Sequence, residues 1–162
     1  MRDLNAKIPG AENFTYKEFV RSQTATRRGI KNEPTEEEWE CLELLSKEVL
    51  QLIRNKFGRI RITSGFRSVE LCEAVGSNKN SNHARGQAVD IEPVGLDVKL
   101  IDIMEFIFNE LEYRELIAEY FPGGWIHVAY RENENVKKLK LKDKNHAYEE
   151  VSLDYLKTLY DV

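Results

Sequence analysis

Two histidines and an aspartate hold the densest chemical information in the chain. His83 and Asp90 lie in SNHARGQAVDIE (Ser81 to Glu92) and His127 lies in WIHVAY (Trp125 to Tyr130); the remaining histidine is His146. A catalytic zinc site takes three protein ligands of nitrogen and carboxylate type and leaves one position for water. His83, Asp90 and His127 would supply such a set for one ion. Spacing alone leaves the plainer reading open, because a His and an Asp seven apart recur by chance and a strand histidine is usually packed or solvated. Arg67 stands at the end of the strand RITSGF. A guanidinium there suits a substrate carboxylate or the oxyanion of a tetrahedral intermediate, or is simply a surface arginine. His146 reads as a surface histidine.

These candidates need elements to position them. Thr15 with Glu18 and Thr35 with Glu38 are capping boxes that open a short helix through Phe19 and Val20 and a long one. In the long helix Trp39, Leu42, Leu45, Val49, Leu52 and Ile53 share a face, and Gly58 stops it. The intervening SQTATRRGIKNEP reads as a polar connection. Ile60 and Ile62 alternate with Arg59 and Arg61, as in a half-buried strand. A short helix over Ser68 to Val75, a loop over SNKNSNH, a strand over GQAVDIEP and a helix over residues 97 to 111 come next. RELIAEYF and WIHVAY read as a hairpin about PGG, KLKLK as a possible edge strand, and SLDYLKTLY as a capped terminal helix. The order is that of a single α+β domain, with a small antiparallel sheet and flanking helices.

The hairpin raises the weight of His127. With PGG as the loop, Phe121 pairs with Trp125 and Glu119 falls opposite His127. Opposed residues share a face with β-carbons about 5 Å apart, so Glu119 would stand where a general base for a zinc-activated water is needed. A cross-strand Glu–His pair on a solvated face is the alternative, but Trp125 and Ala129 share that face. A one-residue slip of the turn would remove the alignment.

Composition narrows the classes. The 162 residues are 41% hydrophobic and 10% aromatic, enough for one core. The net charge of −4 carries no nucleic-acid footprint; the basic KKLKLKDK, Lys137 to Lys144, reads as a solvated strand. No segment reaches transmembrane length and the N-terminus lacks a signal-peptide core, so synthesis in a cytoplasm without membrane insertion is expected. Cys41 and Cys72 have no metal-knuckle spacing, and Cys41 reads as a small core residue with no disulfide expected.

Three motifs in order, SGFRS (Ser64 to Ser68), SNHARGQAVD (Ser81 to Asp90) and WIHVAY, resemble the zinc D-Ala-D-Ala carboxypeptidase-like peptidases, which have the hedgehog/DD-peptidase fold and include L-alanyl-D-glutamate endopeptidases of phage endolysins. The pattern S-x-H-x-x-G-x-A-x-D is met by Ser81, His83, Gly86, Ala88 and Asp90, and FTYKEFVRSQTATRRGIKNEP is similar to the phage and prophage subgroup. The resemblance implies zinc ligands at His83, Asp90 and His127, an oxyanion-stabilising Arg67, and Ser81 and Trp125 as substrate contacts. Several relatives carry an acid three positions before the last histidine, where this chain has Gly124. The subgroup's glutamate on the preceding strand corresponds to Glu119, with Glu115 and Glu92 as poorer alternatives for the base. The implied organisation is an N-terminal extension (1–13), a zinc peptidase domain (14–131) and a C-terminal extension (132–162). The implied substrate is a D-amino-acid-containing amide of peptidoglycan, cut by a monomeric lytic enzyme that reaches the wall after release or on a virion. A non-catalytic wall-binding or virion structural protein is the rival.

Overall fold

The computed structural model describes residues 1–160. A two-stranded hairpin, β1 (Lys7–Ile8) and β2 (Ala11–Thr15), precedes α1 (Tyr16–Val20). Thr15 ends β2 and begins the helix, its backbone N–H donating to Glu18 Oε2 at 2.7 Å. The polar connection then contains a helix that apolar periodicity does not show, α2 (Gln23–Arg28). It buries only Ala25 and is set by its ends, with Ser22 Oγ accepting from Ala25 N and Gly29 closing it at φ 65°.

The long helix is α3 (Glu36–Leu45), a π turn over Ser46–Leu50, and α4 (Gln51–Phe57). The buried Ser46 hydroxyl donates to Leu42 O at 2.6 Å, the type of back-bond that loosens a helical ladder. The wider turn rotates the remainder of the helix, so Leu50 and Ile53 complete the buried face while Leu52 is 39% exposed, against expectation. Gly58 caps α4 at φ 86°.

A six-stranded sheet holds the rest, in the order β3 (Ile60–Ser64), β4 (Ala88–Pro93), β6 (Trp125–Ala129), β5 (Glu115–Glu119), β7 (Leu139–Lys142), β8 (Tyr148–Val151). All neighbours are antiparallel except β5 and β7, so the sheet is mixed. KLKLK forms β7, but it is interior; β8, too polar to stand out in the sequence, is the edge. Helices α5 (Val69–Ala74), α6 (Leu100–Glu110) and α7 (Leu153–Thr158) complete the single α+β domain. No helix among the described residues is long and apolar enough to cross a membrane. Cys41 is only half-buried, whereas Cys72 is buried.

The sheet's alternation separates structure from chemistry. Ile60, Ile62, Val89, Ile91, Leu116, Ala118, Ile126 and Val128 join the core with α3, α4 and α6. Asp90, His127 and Glu119 come from the alternate positions of β4, β6 and β5. Each buried branched side chain contributes roughly 1.5–3 kcal/mol. A one-residue slip of β6 would expose Ile126 and Val128 and thrust His127 into the core, so hydrophobic burial fixes which face carries the imidazole.

Candidate metal centre and cleft

His83 sits on a 3-10 turn, Asn82–Arg85, whose start is capped by Ser81 Oγ accepting from His83 N at 3.1 Å. Gly86 ends the turn at φ 70°, and a β-carbon there would lie 2.4 Å from Glu38 O. Only glycine meets both conditions, which is how the turn delivers His83 and returns the chain to β4 in time to deliver Asp90. His83 Nδ1 donates to Gly65 O at 2.7 Å, so Nε2 is the ring nitrogen turned toward Asp90, 3.3 Å from its Oδ1.

Asp90 and His127 face one another as a cross-strand pair of β4 and β6. His127 donates from Nδ1 to Asp90 Oδ1 and from Nε2 to Glu115 Oε1, both at 2.9 Å. His83, Asp90 and His127 are all buried, and their donor atoms lie within 4.8 Å of one another. Burial disfavours the charged carboxylate of Asp90, yet interactions with His83 and His127 outweigh it and hold its pKa well below the usual range. Burial likewise works against a charged His127, but its hydrogen bonds to Asp90 and Glu115 raise its pKa to about 9. The hydrogen bond from His127 lowers Glu115 to about 2, against the effect of burial. The site is thus built around a positive charge, held by a proton on His127 in the free protein. Two imidazoles and one carboxylate converging at this spacing fit a zinc ion.

Arg67 follows β3 and is oriented by Ser64 Oγ, which accepts from Nε at 3.0 Å, and Ser77 Oγ, which accepts from Nη1 at 3.3 Å. Its Nη2 lies 3.4 Å from Asp90 Oδ2, so the guanidinium borders the proposed ligands. These groups line an open cleft of about 1500 Å³ that also includes Ser81, Trp125 and Glu119. Ser81 is bound into the turn through its cap, and the Trp125 ring packs against Tyr120 at 5.1 Å.

The hairpin register differs from the expected one. Glu119 pairs with Trp125, and Ile117 is the residue opposite His127. The connection runs from Tyr120 to Gly124 because Tyr120 N donates to Lys142 O of β7 at 2.9 Å, and the Phe121 ring packs on Tyr160 at 5.6 Å. The shift is by two residues, so Glu119 keeps the face of His127 as a diagonal neighbour, about 7–8 Å away between α-carbons. Glu119 is buried, with Lys142 Nζ 3.5 Å from its Oε2. A side chain at Gly124 is impossible, since its β-carbon would lie 1.7 Å from Glu119 O. Glu115 is the other diagonal neighbour and bonds His127 directly; β5's period of two, Glu115–Ile117–Glu119, is the signal that could have assigned it. Glu92 pairs with Arg61 and lies outside the cleft lining. Exposed His146 accepts from or donates to the Tyr120 hydroxyl at 2.6 Å, at the cleft's rim.

No curated protein matches the chain. Residues 12–129 match the Peptidase M15 family, a stretch that spans β2 to β6 and includes His83, Asp90 and His127. The chain belongs to the Peptidase M15 family of zinc peptidases.

Proposed function

We propose that the protein hydrolyses an amide bond flanking a D-amino acid in the stem peptides or cross-links of peptidoglycan, and that it serves as a phage or prophage lytic enzyme. The observation that carries this reading is the convergence of His83, Asp90 and His127 beside Arg67 in one open cleft. His83, Asp90 and His127 would hold a single zinc ion, which supplies Lewis acidity toward water and the amide carbonyl.

Glu119 is the general base. It is buried on the face of His127, accepts the proton of the attacking water and returns it to the departing amine. Arg67 donates to the carbonyl oxygen as negative charge develops, with Ser64 and Ser77 holding the guanidinium so that little reorganisation is required. Glu115 keeps a proton on His127 Nε2 and so presents Nδ1 toward Asp90. Ser81 and Trp125 are the candidate substrate contacts, Ser81 through the turn that carries His83. The lytic assignment rests on the similarity of the N-terminal segment to the phage and prophage subgroup.

The test is digestion of purified cell walls by the zinc-loaded protein, with and without a chelator, followed by mass spectrometry of the released muropeptides. The masses identify the bond and separate a DD-carboxypeptidase from a DD-endopeptidase or an L-Ala–D-Glu endopeptidase. His127→Ala is expected to lose both metal and activity. Walls left intact by zinc-loaded protein would refute the reading.

A further inference from the structure

The C-terminal segment beyond the family match builds one side of the cleft. Strand β7 enters beside β5 in parallel register, with Ile117 against Lys140 and Glu119 against Lys142, and β8 then pairs Tyr148 with Lys142. Leu139 and Leu141 turn to the core, so Lys140 and Lys142 stand on the face that carries the metal centre. One cross-strand row reads Ser64, Asp90, His127, Ile117, Lys140. Strands lie about 4.8 Å apart, which puts the Lys140 backbone about 10 Å from that of His127. Arg67 follows β3, on the other side of the metal centre.

Both ammonium groups have donors to spare. Lys140 Nζ lies 3.5 Å from Glu115 Oε2 and Lys142 Nζ 3.5 Å from Glu119 Oε2, long contacts for a group with three N–H donors. The Lys142 side chain is only 19% exposed, enclosed by Tyr120 and Tyr148 with its nitrogen 5.1 Å from the centre of the Tyr148 ring. A merely solvated lysine would not be enclosed in this way. Seven arginine and lysine side chains line the cleft; Arg61 and Arg114 are paired with Glu92 and Glu134 outside it, which leaves five against three carboxylates, Asp90, Glu115 and Glu119, in a chain of net charge −4. Positive charge concentrated there does not help to capture a cation. It draws an anionic substrate.

We propose that Lys140 and Lys142 form a carboxylate-binding subsite that reads an acidic group on the substrate within about three residues of the scissile amide, on the side away from Arg67. This specificity rests on the peptidase reading given above. The ligand class is a peptide with a free carboxylate near the cleaved bond, and the hairpin β7–β8 is the element that selects it.

The experiment compares two otherwise identical D-amino-acid-containing stem peptides, one with that carboxylate free and one with it amidated. The wild type is expected to favour the free acid about ten- to hundredfold in kcat/KM, the range of a charged hydrogen bond. In Lys140→Gln and Lys142→Gln the ratio falls toward one. Lys142 also touches Glu119 and Lys140 touches Glu115, so either loss changes the rate on both peptides; the ratio cancels that effect. Calorimetric binding of both peptides to zinc-loaded Glu119→Gln protein gives the same comparison without turnover. A wild type that discriminates in neither rate nor binding, or a preference that survives both lysine substitutions, overturns the subsite. Hydrolysis of neither peptide by the wild type sinks the peptidase reading instead, and the binding ratio alone then decides the subsite.

Discussion

Replacing Glu115 with alanine separates a residue that holds the metal ligand from one that performs proton transfer. Glu115 accepts from His127 Nε2 at 2.9 Å, and its side chain is 28% exposed. A hydrogen bond involving a charged group contributes roughly 1.5–3 kcal/mol, and partial exposure puts this one near the lower end. His127 would hold zinc through the nitrogen left free by this bond, and losing the bond would let the ring rotate and change tautomer, so affinity should fall about ten- to thirtyfold. Glutamine retains a neutral acceptor of about half the strength, so Glu115→Gln should cost about three- to fivefold.

The pH decides whether that loss is visible. Zinc must displace the proton that His127, with its pKa raised to about 9, carries at neutrality. Wild-type affinity should therefore climb about tenfold per pH unit between 7 and 9 from His127 alone. Glu115→Ala removes one of the two bonds that raise this pKa, so its climb is shallower and its deficit is masked near pH 7. The measurement is a competition titration with a chromophoric chelator from pH 7 to 9.5, and the full deficit should emerge at the alkaline end. A variant with wild-type affinity and slope throughout would refute the orienting role. Unchanged zinc binding with a rate loss beyond about a hundredfold would make Glu115 the base in place of Glu119.

Glu119→Gln should keep its zinc, by metal analysis, and lose at least about a hundredfold in kcat, the scale of a general base; normal turnover would move the base elsewhere. Thermal denaturation of zinc-free protein should show a stability maximum between about pH 4.5 and 6.5, because the folded-state pKa of His127 is raised from 6.5 to about 9 while that of Glu115 is lowered from 4.5 to about 2. The His127 contribution is complete below 6.5 and disappears as pH rises through 9, whereas the Glu115 contribution is complete above 4.5 and disappears on acidification; a Tm that holds or rises from pH 6.5 to 9 contradicts this. Gly86→Ala forces a left-handed φ of 70° and a 2.4 Å contact with Glu38 O, so unfolding free energy should drop by at least about 1–3 kcal/mol and zinc affinity should weaken as His83 shifts; a denaturant midpoint and zinc titration equal to wild type would refute the Gly86 argument.

Legibility in the sequence tracks its periodicities. The apolar alternation of β3, β4, β5 and β6 is strong enough to place these strands and to tell core from cleft, and with that the common face of Asp90 and His127. Helix α2 and strand β8 escaped because they bury little, Ala25 in one case and half of Val151 in the other, so no hydrophobic period betrays them. The exposure of Leu52 escaped because the π turn arises from one buried hydroxyl, Ser46, a cause that no helical wheel includes.

The hairpin is the instructive error. Counting a turn about PGG supposes that the chain leaves β5 to pair with β6 alone, but β5 also pairs with a strand twenty residues further on, and Tyr120 gives its N–H to that strand. The competition is non-local, so no reading of residues 112 to 130 by themselves could have resolved it. The face of Glu119 survived because the true shift is two residues, and alternation is indifferent to even shifts. The same strand β7 that moved the turn brings Lys140 to Glu115 and Lys142 to Glu119. A basic stretch that looked like solvated surface is therefore coupled to both carboxylates flanking His127, and the register of β5 and the charge of the cleft have one cause.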